Sequence, residues 1–496
     1  MAQDSLVRVE ATEPVAATPE SRVLWAPVSS RVLAQGDRRL EASTFLTDGY
    51  GLRQGLEALS STLPMSRIAD VWQPLRLKGV QVDPGMGLPF LSAGQVFESQ
   101  PRVRKWLAPA MVTHAETRYL DPGWIMMSCS GEVGRVTAVY DEHLDKVVTH
   151  DLLRVVPRSS ADYGWLYAYM KTPTFFAIAR SSQYGHMIKH LEPDHVLSMP
   201  IAMPDLETRR SIARAAERAI DMRRSSRKLQ AEADRLYAGL INPRREPIKA
   251  SVYSTVRAST LLTGRRRLEG QYYRADVLHV EALVMRAAKR IQPLHEVVSS
   301  VTMSNRFKRY FGDNGTTYRS ASELFDVNPA VTKRIYAGLV PNADDYLLHP
   351  GELIMARSGQ TYGLLGRTMV LNQNHEGCFG SEDLIRIAPD ATKVRTGYLQ
   401  TVLNHADYGR PRVVRFASGT SVPHLDPPDI REVLIPRFDA VQEDRIADLA
   451  DEAAELSAEA DRLESSAIQA AEEATSTLTG RHGTLRFGGD RDTSSR

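Results

Sequence analysis

Three polar stretches rich in cations hold the residues of this 496-residue chain that are best suited to chemistry. Residues 305–310 read Asn-Arg-Phe-Lys-Arg-Tyr, and residues 357–363 read Arg-Ser-Gly-Gln-Thr-Tyr-Gly directly after an apolar run. Residues 412–424 place two arginines before a Ser-Gly-Thr-Ser segment and a histidine. Arg and Lys bind phosphates, and Arg, Asn, Gln and Ser reach base edges. One such cation alone is better explained as a solvated surface charge, but the repeated set favours contact with nucleic acid.

The predicted nucleic-acid contacts come from both halves of the chain, and the first half supplies fewer cations. In the first half they are Arg76, Lys78, Ser130, Arg135, Tyr184, Lys189 and His190. In the second half they are Asn305, Arg306, Lys308, Arg309, Tyr310, Arg357, Ser358, Gln360, Tyr362, Arg412, Arg415, Ser418 and His424. The set predicts a binding surface built from loops and contains no catalytic group.

The sequence closest to a catalytic motif is Asp426-Pro427-Pro428-Asp429. It resembles the Asp-Pro-Pro-aromatic motif with which amino-methyltransferases stack a flipped base. The aromatic residue is missing, however, and no Gly-rich cofactor loop precedes the motif, so we interpret it as a turn before a strand. No Walker loop, His-Glu-x-x-His, Cys-x-x-Cys or Gly-x-Ser-x-Gly motif occurs. His186, His190 and His195 lack a second ligand cluster, which favours polar contacts over a metal site.

The elements that position these residues are written twice in the sequence. The tetrapeptide Arg-Arg-Leu-Glu at 38–41 recurs at 266–269, an offset of 228 positions. A Pro-Gly strand that runs into Ser-Gly occupies 122–131 and again 350–359, at the same offset. His-Leu-Glu-Pro at 190 is answered by His-Leu-Asp-Pro at 424. Because the matches are collinear, the chain is predicted to contain one globular unit in two copies.

Each copy ends in a long amphipathic helix whose apolar or small residues alternate in steps of three and four, as in a coiled-coil seam. On the first helix the predicted seam contains Ile212, Ala215, Ala219, Met222, Ser226, Leu229, Ala233, Leu236 and Leu240. On the second helix it contains Ile446, Leu449, Ala453, Leu456, Ala460, Leu463, Ala467 and Ala470. Residues 206–245 carry eleven basic and five acidic side chains, whereas residues 439–480 carry two basic and twelve acidic ones. Opposite charge on two such helices favours their pairing.

The predicted fold class is α+β, with two tandem globular α/β units separated by two long helices. The predicted segments are a disordered N-terminus (1–20), unit 1 (21–205), helix 1 (206–245), linker and unit 2 (246–438), helix 2 (439–480) and a disordered tail (481–496). Two cysteines cannot form a disulfide framework. No membrane span or signal peptide is recognisable, so we expect a cytoplasmic protein.

From about Arg38 to Ala474 the chain resembles the DNA specificity subunit of type I restriction–modification systems. The resemblance rests on the two Pro-Gly strands, the Gly-containing segments 184–191 and 418–425, and the strands that enter each helix. It implies two target-recognition domains that each read one half of a bipartite double-stranded DNA site, joined by an antiparallel coiled coil. It also implies a chain that catalyses nothing and binds no cofactor or metal itself. The partners would be adenine methyltransferase subunits that bind S-adenosylmethionine, two per complex, with or without a motor nuclease.

In this family the helices act as a ruler between the half-sites. One heptad rises about 10 Å, roughly three base pairs of about 3.4 Å each. The family usually has a Gln near the start of each helix, whereas this chain has Arg209 and Glu443. That departure suggests a divergent system, such as another methylation-based phage defence. The sequence also leaves open a methyltransferase with its own cofactor pocket and a coiled-coil adaptor that binds only protein.

Overall fold

The structure is a computed structural model that describes residues 28, 41–185, 189–248, 253–262, 267–327, 329 and 333–480. Several predictions lie outside these residues: both disordered termini, His186, and the first repeat pair except Glu41 and residues 267–269. Within them the chain is mixed α/β, as predicted, and no helix is long and apolar enough to span a membrane.

Unit 1 is built around a four-stranded sheet in the order β2-β9-β6-β7, with a second sheet in the order β3-β5-β4-β8 and the pair β1-β10. Its strands are β1 (Thr62–Pro64), β2 (Ala69–Trp72), β3 (Gln81–Val82), β4 (Leu88–Leu91), β5 (Lys105–Leu107), β6 (Ile125–Ser128), β7 (Val136–Ala138), β8 (Val147–Val148), β9 (Leu152–Pro157) and β10 (Pro200–Ala202). Its α-helices are Ala42–Phe45, Asp48–Glu57, Ala93–Val96, Tyr163–Met170, Pro173–Ser182 and Pro193–Leu197.

Unit 2 has the corresponding sheets in the orders β12-β18-β15-β16 and β14-β13-β17, and the pair β11-β19. Its strands are β11 (Arg290–Pro293), β12 (Val298–Met303), β13 (Phe311–Arg319), β14 (Lys333–Ile335), β15 (Leu353–Ala356), β16 (Thr368–Val370), β17 (Phe379–Gly380), β18 (Leu384–Pro389) and β19 (Leu434–Arg437). Its α-helices are Ala258–Leu262, Ala275–Ala287, Leu294–Val297, Ala321–Leu324, Thr396–Asn404, Arg410–Val414 and Pro427–Ile430.

The two units share strand register as well as strand order. Ile125 pairs with Val155 between β6 and β9, and their counterparts Leu353 and Ile387 pair between β15 and β18. The parallel pairs β4–β8 and β13–β17 also match. Even an unusual backbone conformation repeats, because His114 and Asn342, 228 positions apart, have positive φ angles of 51° and 52°. The duplication predicted from short sequence matches is therefore present in the hydrogen-bonding pattern.

Long helix 1 (Leu206–Ile241) and long helix 2 (Ala440–Thr479) pack side by side in opposite directions. The start of long helix 1, at Ile212 and Ala216, shares a core cluster with Ala467 near the end of long helix 2. The end of long helix 1, at Tyr237, shares another cluster with the start of long helix 2. At 1.5 Å per residue, their 36 and 40 residues span about 54 and 60 Å.

Half of the predicted helix seam is wrong by one position. Ile212, Ala219, Ser226 and Ala233, seven residues apart, are buried as expected. The alternate buried positions are Ala216, Arg223, Gln230 and Tyr237, whereas Met222, Leu229 and Leu236 are half-buried. On long helix 2, Ile446 is buried, but Leu449, Leu456 and Leu463 are half-buried beside the buried Ala450, Ala453 and Glu464. The contact between the helices therefore uses small and charged residues, since Arg223 of long helix 1 pairs with Asp461 and Glu464 of long helix 2. The leucines lie at the margin of this contact.

Each unit docks on its own long helix through a glycine at a repeat position. A Cβ on Gly164 would lie 2.5 Å from the carbonyl oxygen of Ala213, and a Cβ on Gly397 would lie 2.8 Å from that of Ala447. Both distances are shorter than any normal contact, so only glycine allows this approach. Unit 1 also contacts long helix 2, because Thr174 donates to Glu472 through its backbone N–H and its hydroxyl. Unit 1 therefore contacts both long helices.

Candidate nucleic-acid interface

The loop between β12 and β13 presents several exposed cations of unit 2. Phe307 anchors it, with its ring 4.7 Å from that of Tyr346 and 5.3 Å from that of Phe379. Arg306 and Lys308 on either side of this anchor are exposed, as is Asn305. Lys308 Nζ lies 5.1 Å from the centre of the Tyr310 ring, and Tyr310 is 37% exposed. A half-buried aromatic ring therefore holds two cations and the Tyr310 ring toward solvent, an arrangement suited to phosphate contact and base stacking.

The Gly-rich segments meet at one edge of each unit. In unit 2 the backbones of Ser358 and Ser418 both pair with that of His424. The neighbouring Gln360 donates from Nε2 to the carbonyl oxygen of Ser421 at 3.2 Å, and Tyr362 is 61% exposed. Residues 60 positions apart in the sequence thus form one loop cluster, as the predicted contact set requires.

Unit 1 repeats that cluster with different side chains. Ser130 and Tyr184 both pair through the backbone with His190. The Tyr184 hydroxyl donates to Glu192 Oε1 at 2.5 Å, and this hydrogen bond, with partial burial, raises the pKa of Tyr184 to about 12. Lys189 Nζ donates to the carbonyl oxygen of Gly185 at 2.6 Å. Because these side chains form hydrogen bonds within their own loop, they stabilise the conformation of the loop rather than project into solvent.

Arg76 and Lys78 are exposed on the loop that follows β2, which is the counterpart of the unit 2 loop. Gln73 fixes the start of this loop, because its Nε2 donates to the His150 carbonyl oxygen at 2.6 Å and lies 3.4 Å from Cys129 Sγ. Cys129 precedes Ser130, so the cationic loop and the Gly-rich cluster lie next to each other. The structure therefore brings the two predicted parts of the unit 1 surface together.

Two predicted contacts, Arg412 and Arg415, are wrong because both side chains are buried inside unit 2. Arg412 is 2% exposed, and its Nε lies 2.6 Å from Glu281 Oε2. The Arg415 guanidinium packs 4.1 Å from the centre of the Tyr272 ring. Both arginines support the loop cluster from below and cannot reach DNA.

Three further predicted cations are engaged in ion pairs. Arg135 is 14% exposed and pairs with Asp326 of unit 2 at 2.8 Å. Arg357 is 15% exposed and pairs with Asp426 at 3.3 Å, so the predicted role of Arg135 and Arg357 in DNA contact is corrected to a structural one. Arg309 pairs with Glu382 at 2.6 Å but stays 38% exposed. It therefore remains available at the edge of the surface.

The sequence prediction missed cations on β5 and β14. Lys105 and Lys333 are exposed at equivalent positions, 228 apart, and Arg334 is exposed next to Ile335, which pairs with Phe311. Tyr336 also donates from its backbone N–H to the Tyr310 carbonyl oxygen, which ties β14 to the cationic loop. The repeat offset was the signal that could have identified Lys105 and Lys333.

The Asp426 segment does not form a catalytic site. Pro427–Ile430 is a short helix rather than the predicted simple turn, and Asp426 accepts a hydrogen bond from Arg357. Asp429 lies 4% exposed in an ion pair with Arg267. Among the residues that the structure describes, no group of three or more His, Cys, Asp or Glu could hold a metal ion.

The two positions that depart from the family pattern both hold strand–helix junctions. Arg209 Nε donates to the Pro204 carbonyl oxygen at 3.1 Å, and its Nη1 lies 3.7 Å from Asp162. Glu443 is buried, pairs with Arg437 at 2.7 Å and accepts from the backbone N–H of Phe438. These side chains fix the start of each long helix to its unit.

No protein-family model and no curated protein matches the sequence. Similar solved structures include a type I restriction–modification S subunit from M. genitalium, with 12% identity, 84% of this chain and 94% of that chain covered, and a TM-score of 0.30. The HsdS subunit from Thermoanaerobacter tengcongensis has 15% identity, with 83% of this chain and 95% of that chain covered and a TM-score of 0.26. A chain from a structural study of complex assembly and conformational transition of the type I R-M system has 14% identity. There 84% of this chain and 96% of that chain are covered, and the TM-score is 0.26. Two of these three solved structures are type I S subunits by name. All three TM-scores are low, so the function of this chain is argued from its own geometry.

Proposed function

We propose that this chain is the DNA specificity subunit of a methylation complex of the type I restriction–modification kind. Each unit reads one half of a bipartite, asymmetric double-stranded DNA target, and the long helices form the antiparallel coiled coil between the two readers. The chain catalyses nothing itself. It directs two adenine methyltransferase subunits, which carry the S-adenosylmethionine, with or without a motor nuclease. The division into target-recognition domains at the predicted boundaries is part of this proposal.

The observation that carries the proposal is one fold present twice with different exposed loops. Arg76 and Arg306 occupy equivalent loop positions, so each unit offers a cation for the phosphate backbone. Beside them, Leu75 of unit 1 is 72% exposed where unit 2 has the exposed Asn305. An apolar side chain favours a thymine methyl group, whereas an Asn reads adenine. The two halves of the target are therefore expected to differ.

The helix pair offers a surface for the methyltransferase. Met222 of long helix 1 and Leu456 of long helix 2 line one shallow groove, with Arg214 and Arg218 beside them. Leu229 and Leu463 are also half-buried. Apolar side chains at the margin of a helix pair, rimmed by charges, are suited to a further helix of a partner protein. Because the groove lies on both long helices, it favours a partner that binds only when the two helices are paired.

The decisive experiment begins by mapping modified bases genome-wide with and without this gene, which supplies the target. Binding of a duplex that carries the target is then measured by fluorescence anisotropy over a series of salt concentrations. We expect Arg306→Ala/Lys308→Ala to weaken binding and to reduce the slope of log affinity against log salt by about 2, since each lost phosphate contact removes about 0.9.

The matched control is Arg274→Ala, because Arg274 is an exposed unit 2 arginine paired with Asp276 and lies outside the cationic loop. It should leave affinity and salt slope unchanged. If the loop variant binds DNA as tightly as the wild type, with the same slope, the assigned interface is wrong. If the wild-type chain shows no salt-dependent DNA binding, the protein-only adaptor becomes the better explanation.

A further inference from the structure

The two units contact each other directly, beside the long helices. The backbone N–H of Ser99 donates to the Phe325 carbonyl oxygen at 2.8 Å, and that of Val327 donates to the Phe97 carbonyl oxygen at 2.8 Å. Glu98 and Asp326 thus form an antiparallel bridge between the units. Phe97 and Phe325 are 228 positions apart, so each unit uses the same segment of the repeat.

Side chains extend this contact in the same reciprocal way. Arg135 of unit 1 pairs with Asp326 of unit 2 at 2.8 Å, and Arg367 of unit 2 pairs with Glu98 of unit 1 at 2.7 Å. Each arginine also lies over a phenylalanine of its own unit, at 4.2 Å for Arg135 over Phe97 and 5.4 Å for Arg367 over Phe325. The contact therefore has approximate two-fold symmetry, because the arginine of each unit pairs with the acidic residue of the other unit.

Burial makes this contact costly to break. Glu98 is 5% exposed and Arg367 is 2% exposed, and Arg367 also donates to the Gln100 carbonyl oxygen at 3.1 Å. Arg102 of unit 1 donates to the Asn404 carbonyl oxygen of unit 2 at 2.8 Å. Removing one partner of a buried ion pair leaves an uncompensated charge, which is far more costly than the loss of a surface pair.

We propose that this reciprocal contact is a spacing clamp, which fixes the separation of the two DNA readers together with the long helices. The inference rests on the proposed function of the units. The shared cores fix each unit to the long helices, whereas the bridge between Glu98 and Asp326 joins the two units directly to each other. The gap between the half-sites is then set by two linkages.

The clamp is tested by a distance between the units in the full chain without DNA. Spin labels at Asp121→Cys and Asp344→Cys report this distance, because both positions are exposed and the native Cys129 and Cys378 are buried. Asp326→Arg places two cations together and should broaden the distance distribution by at least the ~3.4 Å rise of one base pair. Adding Arg135→Glu restores opposite charges and should narrow it again. The control Asp70→Asn removes an exposed ion pair with Arg158 and should change nothing.

An unchanged distribution in the Asp326→Arg variant, or a double variant as broad as the single one, overturns the clamp. The consequence for DNA is measured by mapping modified bases in cells that carry each variant. The Asp326→Arg variant should keep both half-site sequences but accept gaps one base pair longer or shorter. The double variant should accept only the wild-type gap. Identical gaps despite a broadened distance would refute the role in spacing. If the wild type modifies no split target, the proposed function fails, while the distance still decides whether the units are clamped.

Discussion

Glu464→Gln removes the negative charge from a buried cluster that joins long helix 2 to unit 1 and long helix 1. The Glu464 carboxylate is 0% exposed. It accepts from Lys171 Nζ at 2.9 Å, from Arg223 Nη2 at 3.1 Å and from the Tyr167 hydroxyl. A glutamine keeps the shape but leaves both cations without this counter-charge. Breaking a buried ion pair in this way costs about 3–5 kcal/mol, which lowers the melting temperature by roughly 6–20 °C for a unit of this size.

Tryptophan fluorescence is the assay, because all five tryptophans precede Lys171 in the sequence and so report on unit 1. Adding Lys171→Met should recover part of the loss, since it removes one of the uncompensated charges. The matched control is Glu459→Gln on the same helix, whose ion pair with Arg462 is about half exposed. That change should cost less than about 1 kcal/mol. Equal effects of Glu464→Gln and Glu459→Gln would refute the assigned role of the cluster.

The same cluster around Glu464 predicts how the stability of the folded protein depends on pH. Burial raises the pKa of Glu464, but Arg223, Lys171 and the Tyr167 hydroxyl outweigh it and hold the pKa below its ordinary value. A depressed pKa in the folded state contributes stability that is present above the unfolded value of about 4.3 and is lost as the pH falls below it. The difference in melting temperature between wild type and Glu464→Gln should therefore shrink below about pH 4. A difference that stays constant or grows on acidification would contradict the assignment.

Two further predictions concern packing and spacing. Gly164→Ala should destabilise unit 1 by about 1–3 kcal/mol or more, because its Cβ would overlap the Ala213 carbonyl. Gly239→Ala, with nothing within 4 Å of its Cβ, should stabilise long helix 1 by about 0.5–1 kcal/mol; melting curves compare the two, and equal shifts would contradict the docking role. Deleting one heptad from each long helix should change the half-site gap by roughly three base pairs when Asp326→Arg has released the clamp. In the chain with an intact clamp, the same deletion should instead destabilise the protein. An altered gap in the methylated target of the clamped chain would show that the helices act alone.

The duplication and the long helices could be predicted from the sequence because both depend on local pattern. Collinear short matches gave the repeat, and three-four spacing gave the helices. Ile212, Ala219, Ser226 and Ala233 were placed correctly for the same reason. The intervening positions were not, since periodicity alone cannot show that Arg223 finds its acidic partner on a helix more than two hundred residues away.

The candidate site shows the same limit. Arg306 and Lys308 are exposed as the sequence suggested, because a cation beside an aromatic anchor stays in solvent. Arg412 looks equally basic, yet Glu281, 131 positions earlier, holds it in the interior. Arg135 was also predicted to contact DNA, but its partner Asp326 belongs to the other unit. Long-range ion pairs decide which arginines are free, and a single sequence carries little signal for them.

The burial of Glu464 against Lys171 also sets an order of events during synthesis. The two residues are 293 positions apart, so at about 5–20 residues per second Lys171 waits roughly 15–60 s for its partner to be made. Ala467 and Ala471, in the core of unit 1, arrive later still. Unit 1 is therefore completed by a helix that is made only after unit 2. A chain that stops before long helix 2 leaves the Lys171 charge and an apolar face of unit 1 uncovered.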